Sequence, residues 1–293
     1  MKKEFYRAFE DKFRGSRAEI KQRIRIYLPF LKAIQSTYPS MQVLDIGCGR
    51  GEWLELLRDE SIEAFGVDLD QGMLAACEEI GLKVKNTDGI NYLKKLPNEQ
   101  LEVISLFHVA EHVAFEQLQV LINEALRALK PGGLLIIETP NPENLVVGSE
   151  NFYLDPSHTR PIPMQLLMFL TEFIGFKKSK ILRMQENQSL LTEKSISLQS
   201  VLNGVSPDYA VVAQKDAPVE VLDKLNDLFV ETYGVDLGAL ARRYDGRVAH
   251  LESSLEIVQF RIAQLWKLTY PFRCLVKVMR RSRVFFTGRN AVE

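Results

Sequence analysis

Ile20, Ile24, Tyr27, Leu28, Leu31 and Ile34 recur at helical spacing and give residues 1–38 one apolar face. Lys and Arg fill much of the opposite face, which reads as solvated surface. From Gln42 the pattern switches to strands alternating with helices. Val43-Leu44-Asp45 is a short strand running into glycines, and Trp53 to Leu57 opens a helix. Ala64 to Val67 is a second strand ending at Asp68; Met73 to Ile80 is helical; Leu82-Lys83-Val84 is a third strand. Leu101 to Phe107 is a fourth strand, and Phe115 to Leu129 is an amphipathic helix stopped by Pro131-Gly132-Gly133. Leu134 to Glu138 is a fifth strand. Ile181 to Met184 and Tyr209 to Ala213 suit a closing hairpin, with 186–207 between them as a surface excursion. Strands separated by helices predict a parallel sheet with crossover helices.

After about residue 216 the character changes. Val219 to Tyr233 reads as a helix. Tyr244, Val248, Leu251, Leu255, Val258, Ile262 and Leu265 then form a heptad seam, ended by Pro271. The last stretch, 271–293, interleaves Arg273, Lys277, Arg280, Arg281, Arg283 and Arg289 with Phe272, Leu275, Val276, Val278, Val284, Phe285 and Phe286. The chain thus divides into a helical arm (1–38), an α/β domain (39–216), a helix and coiled coil (217–270) and a basic amphipathic tail (271–293).

A net charge of −1 gives no global field toward nucleic acid, and none is expected as a partner. Cys48, Cys77 and Cys274 lie far apart, which argues against a disulfide framework or zinc knuckle and for a reducing cytoplasm. Met1 to Arg25 shows no signal peptide, and no run of 18 apolar residues exists to span a membrane.

Parallel sheets bind ligands at the carboxyl ends of their strands. The first strand ends at Asp45, followed by Gly47, Gly49 and Gly51. A dinucleotide fingerprint would place its third glycine one residue later, and Asp45 would repel a pyrophosphate. Asp45 instead suits a turn that receives a cationic group. Asp68 is placed to accept from ribose hydroxyls, and Asp88 from an adenine amino group. The bland alternative is a structural glycine turn in a generic α/β domain.

The segments VLDIGCGRGEWLELL, GVDLD and LKPGGLLIIETP resemble class I S-adenosylmethionine methyltransferases over roughly residues 40–215. That resemblance implies a Rossmann-like seven-stranded sheet with helices on both faces and the last strand antiparallel. Here it would carry a C-terminal helical, coiled-coil extension. It also implies S-adenosylmethionine as cofactor, held by Asp45, Gly47, Gly49, Gly51, Asp68, Leu69, Asp88 and Phe107. FRGSRAEIKQRIRIYLPFL, FHVAEHV, TPNPEN and NFYLDPSHTRPIP resemble a narrower group, bacterial methyltransferases found with polysaccharide-assembly enzymes, among them O-antigen chain terminators. No kinase motif set accompanies them.

A sugar hydroxyl needs a base, and His is the commonest one near neutral pH. His108, Glu111 and His112 follow the fourth strand and are the catalytic candidates. In the chain-terminating group a His directly after Phe looks catalytic, which selects His108 as the base, with His112 the other candidate. The alternative is that these residues cap the strand. The run 108–112 also resembles the E-x-x-E-H motif, with a later His, of the magnesium site of some small-RNA and quinone O-methyltransferases, but here the first position is His108 rather than Glu, with His158 as the later His. Imidazoles suit Mg²⁺ poorly, so no metal is expected. Asn141 after the fifth strand, and Tyr153, His158 and Arg160 on the loop 151–163, are candidate acceptor contacts; a rigid Pro-rich connection is the competing reading.

The expected function is O-methylation of a sugar hydroxyl on a cell-surface polysaccharide or its lipid-linked precursor. Alternatives are an RNA or quinone-like O-methyltransferase, or a docking protein on a methyltransferase fold. Expected partners are a glycan acceptor, a glycosyltransferase or second copy through 244–265, and an anionic membrane surface through 271–293. That places the protein in the cytoplasm, peripherally at the inner face of the membrane.

Overall fold

A computed structural model describes residues 15–193 and 195–287, with side chains as far as Met279. The chain divides into two compact units, Met1–Leu240 and Ala241–Glu293.

The first unit is built on β1 (Gln42–Ile46), β2 (Glu63–Asp68), β3 (Val84–Asn86), β4 (Leu101–Phe107), β5 (Leu129–Pro140), β6 (Lys178–Met184) and β7 (Asp208–Gln214). Their spatial order is β3-β2-β1-β4-β5-β7-β6. β1 to β5 run parallel, and β7 is antiparallel to both β5 and β6. This is the expected seven-stranded sheet. The chain steps from β1 to β2 on one side and to β4 on the other, so a crevice opens at the carboxyl end of β1.

Alternate residues of each inner strand bury on opposite faces. Leu44, Ile46, Ile104, Leu106, Leu135 and Ile137 pack with helices Phe115–Ala128 and Met164–Ile174. Val43, Val103, Leu134 and Ile136 pack with Tyr27, Phe30, Leu31 and Ile34 of the N-terminal segment, and with Trp53, Leu56 and Leu57 of helix Glu52–Asp59. The two-faced burial explains the apolar runs of β4 and β5.

Several elements depart from the expectation. β3 starts at Val84, two residues late, because Leu82 is drawn into a small core with Leu54, Leu74 and Cys77. The segment Val219–Tyr233 breaks into Val219–Leu222, a 3₁₀ turn Asp223–Leu225 and Asn226–Val230. The basic face of the N-terminal helix Arg17–Ile24 is not merely solvated. Arg17 and Lys21 pair with Glu55, Lys21 also with Asp59, and the following Arg25 with Glu60. Residues 1–14 of the expected arm lie outside the described residues. Residues 186–207 form two short helices, Ser189–Thr192 and Leu198–Asn203, that bury Leu190, Ile196 and Val201.

Helix Leu237–Thr287 begins in the first unit and accounts for the described part of the second. It does not end at Pro271. Proline lacks the N–H that would bond four residues back and crowds the Lys267 carbonyl, but the turns on either side persist. Arg289 of the basic tail lies outside the described residues, and the side chains of Arg280, Arg281, Arg283, Val284, Phe285 and Phe286 are not described. Among the described residues no helix is long and apolar enough to cross a membrane.

Candidate active site

The carboxyl ends of β1 and β4 open into a cavity of about 870 Å³ lined by Asp45, Gly47, Gly49, Asp68, Leu69, Phe107, His108, His112 and His158, among others. A second cavity of about 620 Å³ shares Gly47, Asp68, Leu69 and Val109 and adds Thr87, Asp88, Ile90 and Asn91.

The glycine turn shapes the junction. Gly47 holds φ at +71°, and a Cβ there would come within 2.4 Å of the Val109 side chain. Asp68 is aimed by its own loop: Gly49 N–H donates to Oδ2 and Asp70 N–H to Oδ1, both at 2.8 Å. A carboxylate oxygen accepts more than one hydrogen bond, so both remain competent toward a pair of vicinal hydroxyls. Asp88 Oδ1 caps the helix Gly89–Leu93 through Asn91 N–H at 2.8 Å, in a slot whose lining mixes Leu69, Ile90 and Val109 with Thr87, Asn91, Lys94 and Gln117. Asp45 is buried and accepts from Ser105 Oγ at 2.7 Å. Gly51 does not line either cavity; it starts helix Glu52–Asp59, and a side chain there would strike Leu82 and Cys77.

Two donors in the larger cavity were not anticipated. Trp53 is 2 % exposed, and its Nε1 has no hydrogen-bond partner among the described residues. Arg23, on the N-terminal helix, also lines the cavity. Its positive charge acts on Glu19 and on Asp208, pulling the pKa of each downward. A backbone cradle, an acid aimed by its own loop, a neighbouring slot of mixed apolar and polar lining, and a cationic side chain on the cavity wall fit a nucleoside joined to an amino acid.

The catalytic candidates form two clusters. His108 sits at the end of β4 with φ +55°. Its Nδ1 is 3.1 Å from Glu111 Oε1 and its Nε2 is 3.4 Å from Glu138 Oε1. Burial alone would lower its pKa, but the bonds to Glu111 and Glu138 outweigh burial and hold the ring well above the ordinary range. Glu111 is fully buried, and its other oxygen accepts from Thr139 Oγ1 at 2.9 Å. Despite its burial, His108 keeps its carboxyl below the usual value. Asp208, close by, is pushed up to about 6 by burial and by Glu138 and Glu111, against the pull of His108.

His112 differs. Its Nδ1 lies 3.0 Å from Ser157 Oγ, and Ser157 Oγ donates to Asp155 Oδ1 at 2.6 Å. Since the Ser157 proton is committed to Asp155, its oxygen accepts from His112 Nδ1–H and leaves Nε2 as the acceptor. Burial, with His158 beside it, lowers the His112 pKa despite Glu111. His158 Nδ1–H donates to the Phe152 carbonyl at 2.6 Å, and the two imidazoles meet edge-on at 4.7 Å.

Not every candidate gathers here. Asn141 is fully buried; its amide bonds Ser206 O and Glu143 N, so it is not an acceptor contact. Tyr153 is exposed and packs on Phe152, outside the cavity lining. Arg160 stacks over Phe115 at 4.6 Å, also outside it. Glu138, Asp208 and Tyr27 were missed. Glu138 had a signal, as the one acid within Leu134–Pro140.

This sheet and cavity define a class I S-adenosylmethionine-dependent methyltransferase. The chain belongs to the methyltransferase-domain family, which matches residues 17–172. It is 32% identical over 135 residues to a probable S-adenosylmethionine-dependent methyltransferase of Mycolicibacterium smegmatis, covering 46% of this chain and 51% of that one. It is 29% identical over 109 residues to a ubiquinone biosynthesis O-methyltransferase of Bradyrhizobium diazoefficiens, covering 34% and 40%. The chain thus spans about half the length, or less, of these curated relatives. A crystal structure of an S-adenosylmethionine-dependent methyltransferase from Archaeoglobus fulgidus matches at TM-score 0.64 and 36% identity, over 72% of this chain and all of that one. S-adenosylmethionine is the cofactor.

Proposed function

We propose that the chain O-methylates a sugar hydroxyl on a cell-surface polysaccharide or its lipid-linked precursor, with His112 as general base. The observation that carries the chemistry is the Asp155–Ser157–His112 chain. It fixes one tautomer, and the lowered pKa keeps Nε2 unprotonated near neutral pH. When bound, the cofactor supplies an electrophilic methyl on a sulfonium. His112 Nε2 would take the acceptor's hydroxyl proton. Asp68 would hold the ribose, Asp88 the adenine edge, and Arg23 the amino-acid carboxylate. His108, between Glu111 and Glu138, is protonated in this reading and donates to both; it is a poor base and a counter-charge for two buried carboxylates. The glycan class is supported by the resemblance of FHVAEHV and NFYLDPSHTRPIP to polysaccharide-modifying enzymes and by the polar residues Asn151, His158 and Gln185 in the cavity lining.

The test is labelled-methyl transfer to lipid-linked glycan, with RNA and quinone precursors as controls. Glycan labelling that falls by roughly 10²–10⁴ in His112→Ala, with cofactor affinity unchanged, supports the reading. Labelling of a control alone overturns the substrate class.

A second reading rests on Glu111, His112 and His158, which bring one donor atom each within 4.8 Å of one another. A divalent cation there would polarise the hydroxyl and make His112 a ligand instead of a base. One relative is named a ubiquinone biosynthesis O-methyltransferase, which gives this reading a small-molecule acceptor. Activity abolished by chelator and restored by a divalent cation would select it.

A further inference from the structure

The seam placed on 244–265 continues beyond Pro271. After Leu265 the alternation of three- and four-residue steps runs on through Thr269, Phe272, Val276 and Met279, and Pro271 falls two positions past Thr269, on the outer side. From Leu251 onward the apolar seam residues are widely exposed, from 49% at Ile262 to 73% at Phe272.

We propose that this seam closes on the same seam of a second copy of the chain, as a parallel two-stranded coiled coil over residues 244–279. Three observations carry it. First, the seam keeps a strict 3.5-residue period for about five heptads. On a straight helix such a stripe drifts about 20° per heptad, so it stays on one side only if the helix supercoils around another. A helix lying on a membrane surface needs no such period.

Second, the residue types fit two parallel strands. Val248, Ile262, Thr269 and Val276, with Leu255 among them, occupy one of the two alternating seam positions; Leu251 and Leu265, with Tyr244, Val258, Phe272 and Met279, occupy the other. β-branched residues at the first and Leu at the second favour the two-stranded parallel form.

Third, the flanks are compatible in that register, with one opposite-charge pair. Arg247 meets the partner's Glu252, and Ser254 meets the partner's Gln259. Farther along, Arg261 meets the partner's Trp266 and Leu268 meets the partner's Arg273, so no like charges oppose.

Light scattering on the full chain tests this. The unchanged protein should give twice the chain mass. Leu255→Glu with Ile262→Glu should give a monomer, while Phe260→Glu, on the outer side, should remain a dimer. Circular dichroism on each variant checks that the catalytic unit stays folded. Orientation is read in a Cys274→Ser background: Leu251→Cys should oxidise to a disulfide-linked dimer, because equivalent seam positions face each other only in a parallel pair. A monomeric unchanged chain, a trimer, a monomer that floats with anionic vesicles, or a dimer that fails to cross-link at 251 would each overturn the proposal.

Discussion

Tyr27 donates its phenolic hydrogen bond to Glu138 Oε2, joining residues 111 apart in sequence. Tyr27 belongs to the N-terminal segment, and Glu138 lies on β5 beside the end of β4, where Phe107 pairs with it in register. Through this bond the segment that covers the sheet also fixes a carboxylate that faces His108.

Tyr27→Phe should therefore destabilise the protein although it removes one oxygen. A buried acceptor left short of a donor costs about 1–3 kcal/mol. For a chain of this size that lowers Tm by about 2–4 °C per kcal/mol. Thermal denaturation should show the loss, and Glu138→Gln combined with Tyr27→Phe should cost less than the sum of the two singles. Strict additivity would show that the bond carries no coupling.

Asp68→Ala should weaken S-adenosylhomocysteine at least tenfold, since charge-assisted hydrogen bonds contribute about 1.5–3 kcal/mol each. Arg23→Ala should also weaken it, but should leave adenosine affinity unchanged, because the guanidinium is assigned to the carboxylate end. Calorimetry with both ligands separates the two ends of the site. Equal losses for both ligands in Arg23→Ala would contradict its placement.

Asp208 has a folded pKa of about 6 against an ordinary 3.8. The folded state thus binds the proton more tightly than the unfolded state. Stability from this group is lost as pH rises from about 4 to about 6, and the loss is complete above that. Asp208→Asn should raise Tm above about pH 6 and give progressively less gain toward about pH 4. A gain independent of pH would assign the effect to something other than this carboxyl.

Much of the fold was legible because the sheet's inner strands are apolar on both faces and end at glycines or acids. β4 ends at Phe107 and β2 at Asp68, as read, whereas β1 runs one residue past Asp45 to Ile46. The charge state of His108 was not legible. It depends on Glu138, which only the parallel pairing of β4 with β5 brings alongside. The tautomer of His112 depends on Ser157, an unremarkable residue until the loop 151–163 folds back over the site. Asn141 looked like a loop contact because it follows β5, but the chain turns its amide inward to Ser206.

His108 is protonated where His112 is neutral, and imidazole nitrogen NMR on ¹⁵N-labelled protein reads this difference without any acceptor. Near pH 7 (about half a unit above the ordinary His value), His108 should show both nitrogens protonated and should lose its proton only well above that value. His112 should show a protonated Nδ1 and a bare Nε2, gaining its second proton only below 6.5. A neutral His108 together with a protonated His112, or His112 in the opposite tautomer, would contradict the assignment of the base.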